Sequence, residues 1–228
     1  MLFRSPALAK HGSKFLKENY LKPALQGSQI CAIAVSEPAC GSDVAGLKTT
    51  AKRDGDSYVL NGSKMFITNG MHADLVIVAA ITDPGKGAKG TSLFLVDASL
   101  PGFSRGKKIE KIGLHSSDTA ELFFSDVRLP ADALLGEENR GFVILMTELP
   151  RERLGIAAQA VGSAEGALDI TLEYVKERKA FGQSVGSFQN TRFKLADVKT
   201  QIAINRAFYE KCAQAYTLGE MTKIGRAH

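Results

Sequence analysis

The chain has 228 residues, a mass of 24.5 kDa and 44% hydrophobic residues, which suits one or two globular domains with a sizeable core. Its formal charge of +5 contains no long run of like charge, so nothing demands nucleic acid, although a mildly basic surface suits a ligand carrying several phosphates. No apolar run approaches the roughly 20 residues of a membrane span, and the N-terminus has neither a signal-peptide core nor the Arg- and Ser-rich character of a transit peptide.

The first predicted element is one helix, or two short ones, over 7–25, with Leu8, Phe15, Leu16, Tyr20 and Leu21 apolar. His11-Gly12-Ser13 interrupts it, and Ser13 is a suitable N-cap for the helical residues after it. From 28 to 137 the pattern is one short strand after another, at the spacing of an all-β sandwich or barrel. The strands are expected at 30–35, 49–53, 58–60, 64–68, 75–81, 91–97, 103–107 and 119–129. Asp54-Gly55, Asn61-Gly62, Asn69-Gly70, Asp83-Pro84-Gly85 and Pro101-Gly102 read as the turns between them.

Three stretches in this region stand out. After the apolar run 30–35, Pro38 stops ladder pairing, and Gly41-Ser42-Asp43 offers backbone N–H groups and a hydroxyl with little bulk to hold a ligand away. An ordinary turn has the same composition. Two Asn-Gly pairs then bracket a short strand on which Phe66 and Thr68 share a face by alternation, an aromatic plate beside a hydroxyl. The third stretch, 113–130, is a polar turn leading into a strand. Between them, 86–90 is a polar, Gly-rich and mobile loop whose Lys89 reads as solvated.

Beyond 138 the periodicity is helical. A short helix over 141–148 is expected to break at Pro150, after which Ile156, Val161, Leu168, Leu172 and Val175 continue at helical spacing among many Ala and Gly. Glu148 and Glu152 read as first-turn acids favoured by the helix macrodipole, with Glu152 also open to the role of a base. Arg178-Lys179-Ala180-Phe181-Gly182 reads as a basic last turn with a Gly stop. A last helix over 188–217 carries Phe193, Leu195, Val198, Ile202, Ile204, Phe208 and Cys212 as buried candidates. His11, His72, His115 and His228 show no metal spacing, and Cys31, Cys40 and Cys212, few and odd in number, fit a reducing compartment. There is no P-loop, no GxGxxG, no GxSxG elbow and no internal repeat.

The stretches 34–46, 60–70 and 113–130, in this order and spacing, resemble the middle domain of the acyl-CoA dehydrogenases. The resemblance implies an α+β chain with a β-barrel-like middle domain over 28–137. The end of an N-terminal helical domain precedes it over 1–27, and the first half of a C-terminal helical domain comes after it over 138–228. Residues 1–6 and 223–228 match nothing in the family, and the rest of both helical domains is expected to lie outside the chain. The implied activity is FAD-dependent α,β-dehydrogenation of an acyl-CoA thioester. A carboxylate removes the α-proton, the β-hydrogen leaves as hydride to flavin N5, and electrons pass to an electron-transferring flavoprotein.

By the same resemblance the FAD contacts are Ile33, Val35, Ser36, Gly41, Ser42, Phe66, Ile67, Thr68, Arg178, Phe181 and Gln189. Phe66 stands where the family commonly has Trp, and Ala39 and Cys40 stand where it has Gly and a small residue. Substrate contacts fall on Ser42, Lys89, Pro150, Arg151 and Arg153. The catalytic base falls on Glu152, because 149–154 resembles the long-chain and isovaleryl-type branches, which carry the base on this helix. The family further implies a homotetramer, in the bacterial cytoplasm or the mitochondrial matrix. Two alternatives stay open: an acyl-CoA oxidase that passes electrons to oxygen, and a chain unable to retain FAD.

Overall fold

Ser13 separates two helices, as its cap chemistry requires. In the computed structural model, which describes residues 5–220, α1 (Ser5–His11) stops at Gly12, where a Cβ would lie 2.4 Å from the Leu8 carbonyl oxygen. The Ser13 hydroxyl then accepts the Leu16 N–H at 3.1 Å and opens α2 (Lys14–Leu16). A π turn over Lys17–Leu21 leads into α3 (Lys22–Gln26), with the Lys22 N–H bonded to the Lys17 carbonyl. The wider turn sits directly before Pro23, which has no N–H to give. Gly27, at φ 82°, closes α3 in the left-handed conformation. Leu8 and Leu16 are buried, while Phe15 and Leu25 are exposed. The expectations on 223–228, and most of that on 1–6, lie outside the described residues.

The chain divides into two units, Met1–Glu148 and Leu149–His228. The first is built on one seven-stranded sheet in the order β1-β4-β2-β3-β7-β6, with β5 also paired to β4. The strands are β1 (Cys31–Ala34), β2 (Thr50–Asp54), β3 (Ser57–Thr68), β4 (Leu75–Ile81), β5 (Thr91–Asp97), β6 (Phe103–Lys108) and β7 (Thr119–Pro130). Two pairings of β4, with β1 and with β2, are parallel, and the others are antiparallel.

The antiparallel hairpin β4–β5 explains why two strands read as unbroken apolar runs. Both of its faces are covered: Val76, Val78, Ala80, Phe94 and Val96 pack with Tyr58, Leu60, Leu122 and Leu129, whereas Leu75, Ile77, Leu93 and Leu95 pack with Leu8, Leu16 and Leu135. The sheet curls where β3 and β7 lose register, between Leu60 and Gly62 and again between Lys64 and Ile67.

The first of those irregularities corrects the reading of Asn61-Gly62 as a turn. β3 is one strand, and Gly62, at φ 147°, is a bulge pressed against Thr49, whose Cα would stand 2.7 Å from an added Cβ. Glycine is required there by the approach of another backbone. Asn61 then bridges the bulge, its amide donating to Asp126 Oδ1 at 2.9 Å and its carbonyl accepting the Asp126 N–H at 2.9 Å.

The second unit is helical, and it corrects four further expectations. α4 (Gly141–Glu177) runs through Pro150 without ending, because a proline deletes one N–H and the ladder resumes on either side of it. Its start at Gly141 also means that Glu148 and Glu152 are interior residues, and its first turn holds no acid at all. Residues 178–182 do not form a Gly-stopped helix end. α4 stops at Glu177, and β8 (Lys179–Ala180) pairs with β9 (Gln183–Ser184) around Phe181 and Gly182, whose positive φ values of 53° and 78° are those of a type I′ hairpin turn. Finally, in α5 (Gln189–Thr217) Cys212 is buried as expected, but Phe193, Val198, Ile204 and Phe208 are 46–70% exposed.

Candidate functional site

Glu37 and Lys64 hold the loop that the sequence marks as ligand-facing. The Lys64 side chain is fully buried, and its ammonium donates to the Val35 carbonyl and to Glu37 Oε1, both at 2.9 Å. Beside it the Met65 N–H donates to the Ser36 carbonyl at 2.9 Å. The Glu37 carboxylate also accepts the Lys48 N–H at 2.7 Å and the Thr49 N–H at 3.0 Å. One carboxylate therefore ties both ends of the loop 38–47 to β3. Sequence reasoning misses this pair, because no local pattern joins residue 37 to residue 64.

Burial pushes the Glu37 carboxyl up, but hydrogen bonds from Thr49 and Lys64, the Lys64 charge and the Lys48 amide outweigh it and hold the group below its ordinary value of 4.5. A lowered carboxyl value stabilises the fold fully above pH 4.5 and loses that contribution as pH falls through the folded-state value. Glu37→Gln is therefore expected to lower the melting temperature most near neutral pH, the gap from wild type closing below pH 4.5. Thermal scans across pH measure it, and a gap independent of pH would mean that Glu37 is not ionised.

Within the loop, Cys40 is buried, with its thiol donating to the Asp43 carbonyl at 2.7 Å. Burial first, and the Glu37 charge second, push that thiol up, so Cys40 is a packing residue. Gly41, Ser42 and Asp43 are exposed, and a Cβ built on Gly41 meets nothing within 4 Å.

The second bulge of β3 turns the Met65 N–H away from β7 and toward Ser36. It also puts Phe66 at φ 61° with its side chain 59% exposed. Phe66 and Thr68 are both exposed on either side of buried Ile67, so the expected shared face holds, although a bulge and not plain alternation produces it. Ile67 leaves only its backbone for a ligand. Ile33, Val35 and Ser36 are half-buried beside the loop. Lys89 is exposed on the 3₁₀ segment Pro84–Gly90, which packs against the turn Val44–Gly46 just beyond Ser42. An exposed apolar ring, small residues and the hydroxyls of Ser36, Ser42 and Thr68 are a surface that a flat, polar-edged heterocycle fits.

The second unit carries the remaining candidates. Pro150 is buried, Glu152 half-buried, and Arg151 and Arg153 exposed on α4. Arg178, Phe181 and Gln189 gather at the hairpin end, where the Val185 N–H bonds the Arg178 carbonyl at 2.7 Å and the Phe181 ring meets Phe188 edge-on at 6.3 Å. Phe181 is 96% exposed. α4 and α5 are joined by Arg206, whose Nε donates to Glu165 Oε1 at 2.7 Å and whose Nη2 donates to Oε2. Between them runs an apolar groove lined by Ala160, Ala164, Leu168, Leu195, Val198 and Ile202. Among the described residues no group of His, Cys, Asp or Glu is arranged to hold a metal, and no helix is long and apolar enough to cross a membrane.

Comparison with known proteins covers most of the chain. Residues 32–127 match the family model for the acyl-CoA dehydrogenase middle domain, and residues 139–227 match that for the acyl-CoA dehydrogenase C-terminal domain. The mitochondrial long-chain specific acyl-CoA dehydrogenase of Sus scrofa is 51% identical over 213 residues, which are 92% of this chain and 50% of that protein. The short-chain specific acyl-CoA dehydrogenase of Megasphaera elsdenii is 47% identical over 203 residues, 89% of this chain and 53% of that one. The crystal structure of an acyl-CoA dehydrogenase from Geobacillus kaustophilus has a TM-score of 0.92 at 47% identity, over 94% of this chain and 57% of that one. The chain spans about half the length of the curated relatives it matches.

Proposed function

The chain belongs to the acyl-CoA dehydrogenase family, and from that premise we propose that the protein binds FAD and dehydrogenates an acyl-CoA thioester between its α and β carbons, with an electron-transferring flavoprotein as the acceptor. The observation that carries the proposal is the solvent-facing Phe66, held in a bulge beside the loop of Gly41 and Ser42. Backbone strain of this kind collects at ligand sites. When bound, FAD accepts the hydrogen that leaves the β carbon as hydride.

The chain's own residues then have separable tasks. Phe66 gives the flavin an aromatic plate, while Ser36, Ser42, Thr68 and the Gly41 amide supply hydrogen-bonding groups around it. Glu152 takes the α-proton, Arg151 and Arg153 line the substrate channel beside it, and Lys89 meets a phosphate of CoA. Arg178, Phe181 and Gln189 form a second contact for FAD, offered to a neighbouring copy.

The visible spectrum tests the cofactor directly. Purified protein is expected to carry flavin absorption, or to acquire it with added FAD, and protein that stays colourless would overturn the assignment. Anaerobic reduction by acyl-CoA followed by admission of air then separates the dehydrogenase from an oxidase, since rapid reoxidation would favour the latter.

The neighbouring copy has its own support. Phe193, Ile204 and Phe208 on α5 are large apolar side chains that stand more than half exposed, and water is an unfavourable neighbour for them. Sedimentation is expected to give a dimer or larger at micromolar concentration, and Ile204→Lys with Phe208→Glu to shift it toward monomer. A clean wild-type monomer would count against the assembly.

A further inference from the structure

The Glu37–Lys64 pair does something that its burial alone does not require. A buried ion pair is often no more stabilising than apolar side chains of the same volume, so its presence calls for a second reason. The groups it touches supply one. Val35, Glu37, Lys48 and Thr49 are the residues where the loop 38–47 leaves and rejoins the sheet, and all four are bonded to the Lys64 ammonium or the Glu37 carboxylate. Lys64 is also the last residue in register with β7 before the bulge that presents Phe66. The pair thus connects the loop's entrance, its exit and the bulge through one set of hydrogen bonds.

We propose that Glu37 and Lys64 are positioning residues, a latch that holds the Gly41–Ser42 loop at a fixed distance from Phe66. The latch rests on the FAD reading for its ligand, but not for its geometry. Charge is what suits the pair to this task. A carboxylate accepts at several lone pairs and has no donor, so both backbone N–H groups at the loop exit and the ammonium meet acceptors. A glutamine in its place would turn an N–H₂ toward the Lys48 or Thr49 N–H, donor against donor. An apolar pair would fill the space and leave the loop ends untied.

Two variants test the latch: Glu37→Gln, and the double replacement Glu37→Leu with Lys64→Met, which removes both buried charges and so guards against a single variant that fails to fold. Amide hydrogen exchange is read over 38–49 and over β4 and β5. The latch predicts that loop amides exchange about tenfold or more faster in a variant that still folds, by a larger factor than the amides of β4 and β5, which report only the global loss of stability, because the opening is local. FAD titration followed by flavin fluorescence is then expected to show a dissociation constant raised about tenfold or more. Unchanged loop exchange in a folded variant overturns the latch, as does FAD affinity equal to wild type. Loss of cooperative melting in the double variant also overturns it, since the pair would then support the whole fold. Wild-type protein that takes up no FAD sinks the functional reading instead, and the exchange comparison decides the latch on its own.

Discussion

Replacing Glu152, the proposed base, by glutamine is expected to slow reduction of FAD by acyl-CoA by about 10²–10⁴-fold, the range of a general base, while FAD stays bound. Glutamine keeps the shape of the side chain and removes its basicity, so binding and chemistry are separated in one variant. The bland explanation for an acid in 148–152 is the positive end of a helix dipole. That explanation needs a first turn, and Glu152 lies well inside α4, which begins at Gly141. The dipole therefore does not account for this half-buried carboxylate in a helix interior. Anaerobic stopped-flow bleaching of the flavin measures the effect, and near-normal reduction would move the base to another residue.

Phe94→Ala is expected to destabilise the first unit by about 3–5 kcal/mol, the range for a buried aromatic truncated to a methyl. Phe94 is 0% exposed at the centre of the sheet's inner core and packs edge-on to the Tyr58 ring at 4.8 Å. Tyr58 is itself fixed, its hydroxyl donating to Glu138 Oε2 at 2.8 Å, so it cannot move in to fill the cavity without giving up that bond. Denaturant unfolding of wild type and variant gives the difference. A loss below about 1 kcal/mol would mean that the core closes over the gap.

How much the chain discloses about itself depends on the range over which each feature is determined. β4 and β5 are legible to the residue, because apolar runs bounded by turn residues carry their own limits. Ser13 is legible as a cap for the same local reason. Asn61-Gly62 misleads because the demand for glycine comes from Thr49 across the sheet, and an Asn-Gly pair looks the same whether it makes a turn or a bulge. Pro150 misleads because a long helix tolerates the loss of one hydrogen bond. The loop and Phe66 are legible as a candidate site, but the carboxylate and ammonium that bind them together are silent, since their partnership exists only after the sheet has formed.

The pairing of β3 with β7 sets the order in which this protein reaches its native state. Ser57 lies opposite Pro130 and Thr68 opposite Thr119, with β4, β5 and β6 all placed between them in the chain. Hairpins such as β4–β5 and the α4–α5 pair join neighbours and close quickly, whereas the β3–β7 ladder has to gather a long intervening segment before any bond rewards it. Sheet closure is therefore the expected slow phase of refolding, on the millisecond-to-second scale of non-local β topologies. Until β7 arrives, β3 presents an unpaired edge, so crowding during refolding is most damaging in that interval, and dilution or an early supply of the β7 segment is the remedy that the topology suggests.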